Sequence, residues 1–215
     1  MATADTFVTE LDAKNQASIQ RIVDAQTAGI TKEGFEVTDV LRLVFKARME
    51  AAEVAALWVS DCEDLEMKLS LAKQCGDDAR QCRLLAARLG ALGTIGYDPR
   101  EGGYSKVFAF HRSLQTAEER SAAGYVTAKS LSMARLTALA TTCNDKGDTE
   151  TAQLLGEILV EQERRYYEDG KKLLAEVATN EESQARGRRS AYRTLELATE
   201  TVDPLQLRKL MAKRR

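Results

Sequence analysis

The chain has 215 residues, 44% of them apolar and 30% charged, and a formal net charge of −2. That is the composition of an ordinary globular protein, long enough for one sizeable core, with no overall charge to draw nucleic acid. No run approaches the ~20 apolar residues of a membrane span, and Met1–Lys14 is too polar for a secretory leader, so no membrane partner and a cytoplasmic location are expected.

Only two prolines, Pro99 and Pro204, interrupt the chain, which favours long helices over a many-stranded sheet. Residues 1–36 read as a weakly amphipathic lead-in helix on Phe7, Leu11, Ile19, Ile22 and Val23, closed by Gly29 and Gly34. The spacing of Val40, Leu43, Val44, Ala47, Ala51, Val54, Leu57 and Trp58 predicts a first long helix over about Val37 to Val59. Asp61, with Asp64 shortly after it, is an N-cap candidate for a second, which extends to about Leu89 as an antiparallel neighbour.

Gly90 to Ser105 holds five glycines and Pro99, and a loop of that length suits a crossover. A third helix is predicted from about Lys106 to Thr142, and Asn144–Asp148 reads as a tight turn. A fourth follows on Leu154, Leu155, Ile158, Leu159, Tyr166, Leu173 and Leu174. Shorter helices are predicted near Ser183–Thr199 and Pro204–Lys213, the latter inside a basic tail of residues 201–215. From Gln184 to Arg215 nine Lys/Arg face three Asp/Glu. Such a segment reads first as a solvated helix surface, and second as a dock for RNA or an acidic partner.

Cys62, Cys75, Cys82 and Cys143 include no C-x-x-C pair, and Cys75 and Cys82 lie two helical turns apart, beyond disulfide reach. His111 is the only histidine. It reads as a structural residue, with a lone catalytic base as the alternative.

Each long helix places an acid on or beside its apolar stripe: Glu50 (or Glu53), Asp78, Glu119 (or Glu118) and Glu163, with Gln81 and Tyr166 three residues beyond two of them. Buried carboxylates must be paired, protonated or bound to a cation. Arg48, Arg80, Arg120 and Arg164 are the candidate counter-charges.

The stretch Lys68–Gly90, with Asp78-Ala79-Arg80-Gln81 at its centre, resembles the second helix of ferritin-like di-iron carboxylate proteins. Thr116–Gly124 resembles their third helix, and Gly147–Leu155 with Glu161–Tyr166 their fourth. The likeness spans about residues 37–200 in order, crossover included. It implies an all-α, ferritin-like four-helix bundle with one long crossover at about residues 90–105 and accessory helices at both ends. In that family two Glu-x-x-His motifs help hold a pair of metal ions. Here Asp78 and Gln81 stand for one motif, and Glu163 and Tyr166 for the other.

The resemblance therefore implies degenerate metal positions at Glu50, Asp78, Gln81, Glu119, Glu163 and Tyr166, with no catalytic residue assigned and no cofactor expected. The corresponding function is a non-catalytic subunit, scaffold or small-ligand binder, as a homodimer or a hetero-oligomer with a related subunit. The alternative is an iron- or manganese-dependent oxygenase or hydroxylase using Glu50, Asp78, Glu119, Glu163 and Tyr166. A docking module on the basic tail is the third reading.

Overall fold

Few breakers and regular apolar spacing give long helices, and a computed structural model, which describes residues 3–100 and 102–200, is helical with no strand among those residues. Helix α1 (Ala4–Lys32) is followed by α2 (Val37–Asp61) and α3 (Leu65–Ala91), then the short α4 (Lys106–Arg112). Two composite rods come next. One joins α5 (Ala117–Arg120), a π-helical segment π1 (Ser121–Thr127) and α6 (Ala128–Asp145); the other joins α7 (Thr149–Gln153), π2 (Leu154–Leu159) and α8 (Val160–Val177). Helix α9 (Glu181–Glu200) closes the described chain. The helix expected over Pro204–Lys213 and the basic tail lie outside the described residues.

Chain direction follows from which residues share a core. Leu41 and Val44, near the start of α2, pack with Leu85 and Leu89 from the end of α3 and with Leu139 and Cys143 from the end of α6. Trp58, near the end of α2, packs with Met67 and Leu71 from the start of α3 and with Ala123 and Tyr125 of π1. So α3 and the third rod both run opposite to α2. Leu155 and Leu159 join the first cluster and Tyr166 the second, so the fourth rod runs with α2.

Two parallel rods in succession need a long return, and residues 92–105 supply it. Tyr97 Oη donates to the Arg42 carbonyl at 3.2 Å, Lys46 Nζ donates to the Pro99 and Gly103 carbonyls, and Ser105 N donates to Glu50 at 2.9 Å. The segment thus climbs alongside α2 in the same direction. Gly93, Gly96 and Gly103 turn it with positive φ, a conformation that disfavours other residues.

The third helix begins later than its periodicity predicts. Lys106–Arg112 forms its own short helix, and a new one starts at Ala117. The cause is a capping box: Thr116 Oγ1 accepts from Glu119 N at 3.4 Å while Glu119 Oε2 accepts from Thr116 N at 3.1 Å. Beyond it, in π1, the Thr127 hydroxyl donates to the Ala122 carbonyl at 2.7 Å. Asn15 of α1 in turn donates to that hydroxyl at 3.0 Å. Helix α1 is thereby tied into the body of the fold, and its Phe7, Val8 and Leu11 pack on Val126, Leu174 and Ala191.

Candidate functional site: a buried ionic quartet beside a cavity

Between the two apolar clusters lies a layer of charge. Arg48 comes from α2, Asp78 from α3, Lys129 from α6 and Glu163 from α8, and none of the four side chains is more than 6% exposed. Arg48 Nη1 is 2.5 Å from Glu163 Oε1 and 3.5 Å from Asp78 Oδ1. Lys129 Nζ is 3.1 Å from Glu163 Oε1 and 3.9 Å from Asp78 Oδ2. Each cation thus faces both acids. Arg48 Nη2 also donates to Ser132 Oγ at 2.8 Å, and Gln74 Nε2 donates to Asp78 Oδ2 at 3.2 Å.

The two acids are not equivalent. Burial opposes the charge of Glu163, but the close Arg48 and Lys129 outweigh it and hold this carboxyl below its usual range. Burial also dominates at Asp78, where the same cations stand farther off, and there the pKa is raised. Arg48 is held charged, since the two acids more than offset its own burial. Two cations against two carboxylates leave the layer able to reach neutrality without any added ion.

Of the six positions singled out in the sequence, Asp78 and Glu163 meet here. Gln81 is buried at 1% exposure, and neither its amide nitrogen nor its oxygen has a hydrogen bond among the described residues. Tyr166 turns to the other carboxylate of α3, its Oη donating to Asp77 Oδ2 at 2.7 Å. Burial and that bond raise its pKa, so it stays a phenol rather than a phenolate. The remaining acids serve elsewhere. Glu50 pairs with Lys46 at 3.3 Å and accepts from Ser105, pinning the end of the crossover. Glu119 completes the capping box, and the neighbouring Glu118 pairs with Arg186 of α9 at 2.5 Å. Among the described residues no group of three or more His, Cys, Asp or Glu side chains converges in a way that could hold a metal ion.

Among the candidate counter-charges only Arg48 reaches the core acids. Arg80 and Arg164 are exposed and pair within their own helices, and Arg120 donates to the Leu114 carbonyl. Lys129 is the partner that sequence reasoning missed. It follows π1 by two residues, and each extra residue of a π turn rotates the downstream face by about 100° against a 3.6-residue period. A stripe read straight through that segment is out of register beyond it.

A cavity of about 220 Å³ adjoins the quartet, between α2 and α6, with α4, α1 and α9 along its border. His111 lies on its wall, buried and without a carboxylate partner among the described residues. Thr194 Oγ1 donates to the Ser190 carbonyl, so the 3.0 Å contact with His111 Nε2 makes that nitrogen the protonated one. Burial, with Lys129 adding to it, lowers the His111 pKa to about 4, and the ring is neutral near pH 7. The four cysteines are free, and burial pushes the Cys82 thiol up to about 11 and Cys143 to about 12, which leaves both inert. No helix among the described residues is long and apolar enough to cross a membrane.

Comparison with family models, with curated proteins and with solved structures finds no match to this chain.

Proposed function

We propose that the chain is a ferritin-like bundle in which two side-chain cations have taken the place of a di-metal centre, and that it acts as a non-catalytic, ligand-binding subunit. The observation that carries this reading is the position of Arg48 and Lys129. Both stand between Asp78 and Glu163, where a ferritin-like fold holds its metal ions between opposed carboxylates. The succession of rods, with a return segment between the second and third, supports the same ancestry.

The donor set does not fit a metal pair. Glu50 and Glu119 are engaged elsewhere, no imidazole is within the layer, and a dication placed between Asp78 and Glu163 would meet two fixed positive charges. Exposed Leu57, Leu65 and Leu69 on the α2–α3 hairpin favour a subunit contact, either with a second copy or with a related chain.

The test is the metal content of full-length protein produced in iron- and manganese-replete medium. Substoichiometric metal is expected, with a melting temperature indifferent to chelator. Near-stoichiometric iron or manganese, whose removal lowers the melting temperature, would overturn the reading in favour of an oxygenase.

A further inference from the structure

The cavity exists because facing helices carry small side chains. Ala47 and Ala51 of α2 line it together with Ala128 and Ser132 of α6, and at one end the Trp58 ring packs directly on Gly124 of π1. It extends along the helix axis: its lining runs from Leu43 to Trp58 on α2, fifteen residues or about 22 Å at 1.5 Å per residue. A protein cavity of about 150 Å³ holds benzene, so the 220 Å³ here takes about nine non-hydrogen atoms. That shape suits an extended chain better than a disc.

The charges on its wall do not balance. Lys46 is matched by Glu50, while Arg48 and Lys129 are matched by Glu163 and Asp78. Arg135 is the surplus. It lines the cavity, and it has no ion pair or hydrogen bond among the described residues, its Nε being fully covered. Burial lowers its pKa only to about 10, so it is a cation at neutral pH. A covered guanidinium N–H without an acceptor is unfavourable, and a carboxylate is the acceptor that matches its fork.

We infer that this cavity binds a linear-chain monocarboxylate, with the carboxylate on Arg135 and the alkyl chain running between α2 and α6 past Ala51 and Ala128. The site rests on the metal-free reading, in which the quartet's two cations and two carboxylates balance one another in charge and Arg135 is the cation on the wall with no acid against it among the described residues. Head and tail have separate requirements: a charge at one end, and along the rest a tunnel whose wall carries Ala47, Ala51 and Ala128 beside the Arg48–Ser132 hydrogen bond that joins α2 to α6.

Sodium octanoate, at concentrations where it is monomeric, is the probe, and octan-1-ol its uncharged counterpart. Titration calorimetry and thermal shift on chelator-treated full-length protein should show octanoate binding, with stabilisation that grows with its concentration. Octan-1-ol should bind at least tenfold more weakly. Arg135→Gln should weaken octanoate at least tenfold and leave octan-1-ol unchanged, which assigns the difference to the head group. Ala51→Leu should weaken both ligands by narrowing the tunnel. The inference is overturned if octanoate gives no shift, if octan-1-ol binds as well as octanoate, or if folded Arg135→Gln binds octanoate like the wild type. Should Ala51→Leu fold poorly, the head-group comparison decides by itself. Tight metal retention with octanoate binding intact would overturn the metal-free reading alone, whereas metal-free protein indifferent to octanoate would overturn this site alone.

Discussion

Arg48 Nη1 stands 2.5 Å from Glu163 Oε1, with neither side chain more than 6% exposed. An ion pair so covered is a weak source of net stability but a large liability once broken, because the surviving charge stays in a low-dielectric setting. Arg48→Met should therefore cost about 3–5 kcal/mol in urea unfolding. The double variant Arg48→Met, Glu163→Met should lose clearly less than the sum of the two single changes. Additive losses would show that the two groups are not coupled.

The two acids should respond differently to neutralisation. Glu163 makes the two shortest contacts to the quartet's cations, and its carboxyl is held below its usual pKa. Its contribution is present above the unfolded pKa and lost as pH falls through the lower folded value. Glu163→Gln should cost about 3 kcal/mol at neutral pH. Asp78 has a raised pKa, so its ionisation counts against the fold as pH rises, and Asp78→Asn should change stability by less than about 1 kcal/mol. Equal losses in the two variants would contradict this assignment.

His111 predicts an acid-sensitive window. Its pKa falls from 6.5 to about 4 on folding, so the unfolded chain binds a proton that the folded chain refuses. Stability from this group is complete above pH 6.5 and is lost as pH drops toward 4, on the order of 3 kcal/mol in total. Unfolding free energies of the wild type and His111→Gln, measured across that window, should differ in slope, the variant being flatter by up to about 1.4 kcal/mol per pH unit. Parallel profiles would place the titration elsewhere.

Close packing at two glycines can be separated by substitution. A Cβ at Gly170 of α8 would lie 2.2 Å from the Cβ of Tyr125, whose ring fills the core, whereas a Cβ at Gly76 of α3 meets nothing within 4 Å. Gly170→Ala should be destabilising by about 3 kcal/mol or prevent folding. Gly76→Ala should stabilise by roughly 0.5–1 kcal/mol, since helical glycine carries an entropic penalty. Thermal melts of both variants give the answer.

Helix-forming segments were legible wherever apolar spacing was regular. The stripe Val40, Val44, Val54 and Trp58 located α2, and Gly90–Ser105 announced the return segment. Asp78 and Glu163 are readable as core acids because Asp78 lies in line with Leu71 and Leu85, two turns to either side, and Glu163 with Leu159, one turn before it. Arg48 could be named only as one of four arginines, since choosing among them needs the angle between helices. Lys129 was hidden by π1, which breaks the period on which the reading depends, and Glu119 by its capping box, which uses the same Thr-x-x-Glu pattern for a helix start. The return segment also took Glu50, through a contact with Ser105 that crosses 55 positions of chain and leaves no local trace.

The cations of this core are carried on the polypeptide itself. Arg48 and Lys129 come from the ribosome in fixed number, whereas a metal must be acquired from a cellular pool, can be the wrong element, and can be stripped by competitors. On the reading proposed here the chain has no apo state and no loading step. Its folded population should be the same in an iron-starved cell as in a replete one, and no chaperone for metal delivery is called for.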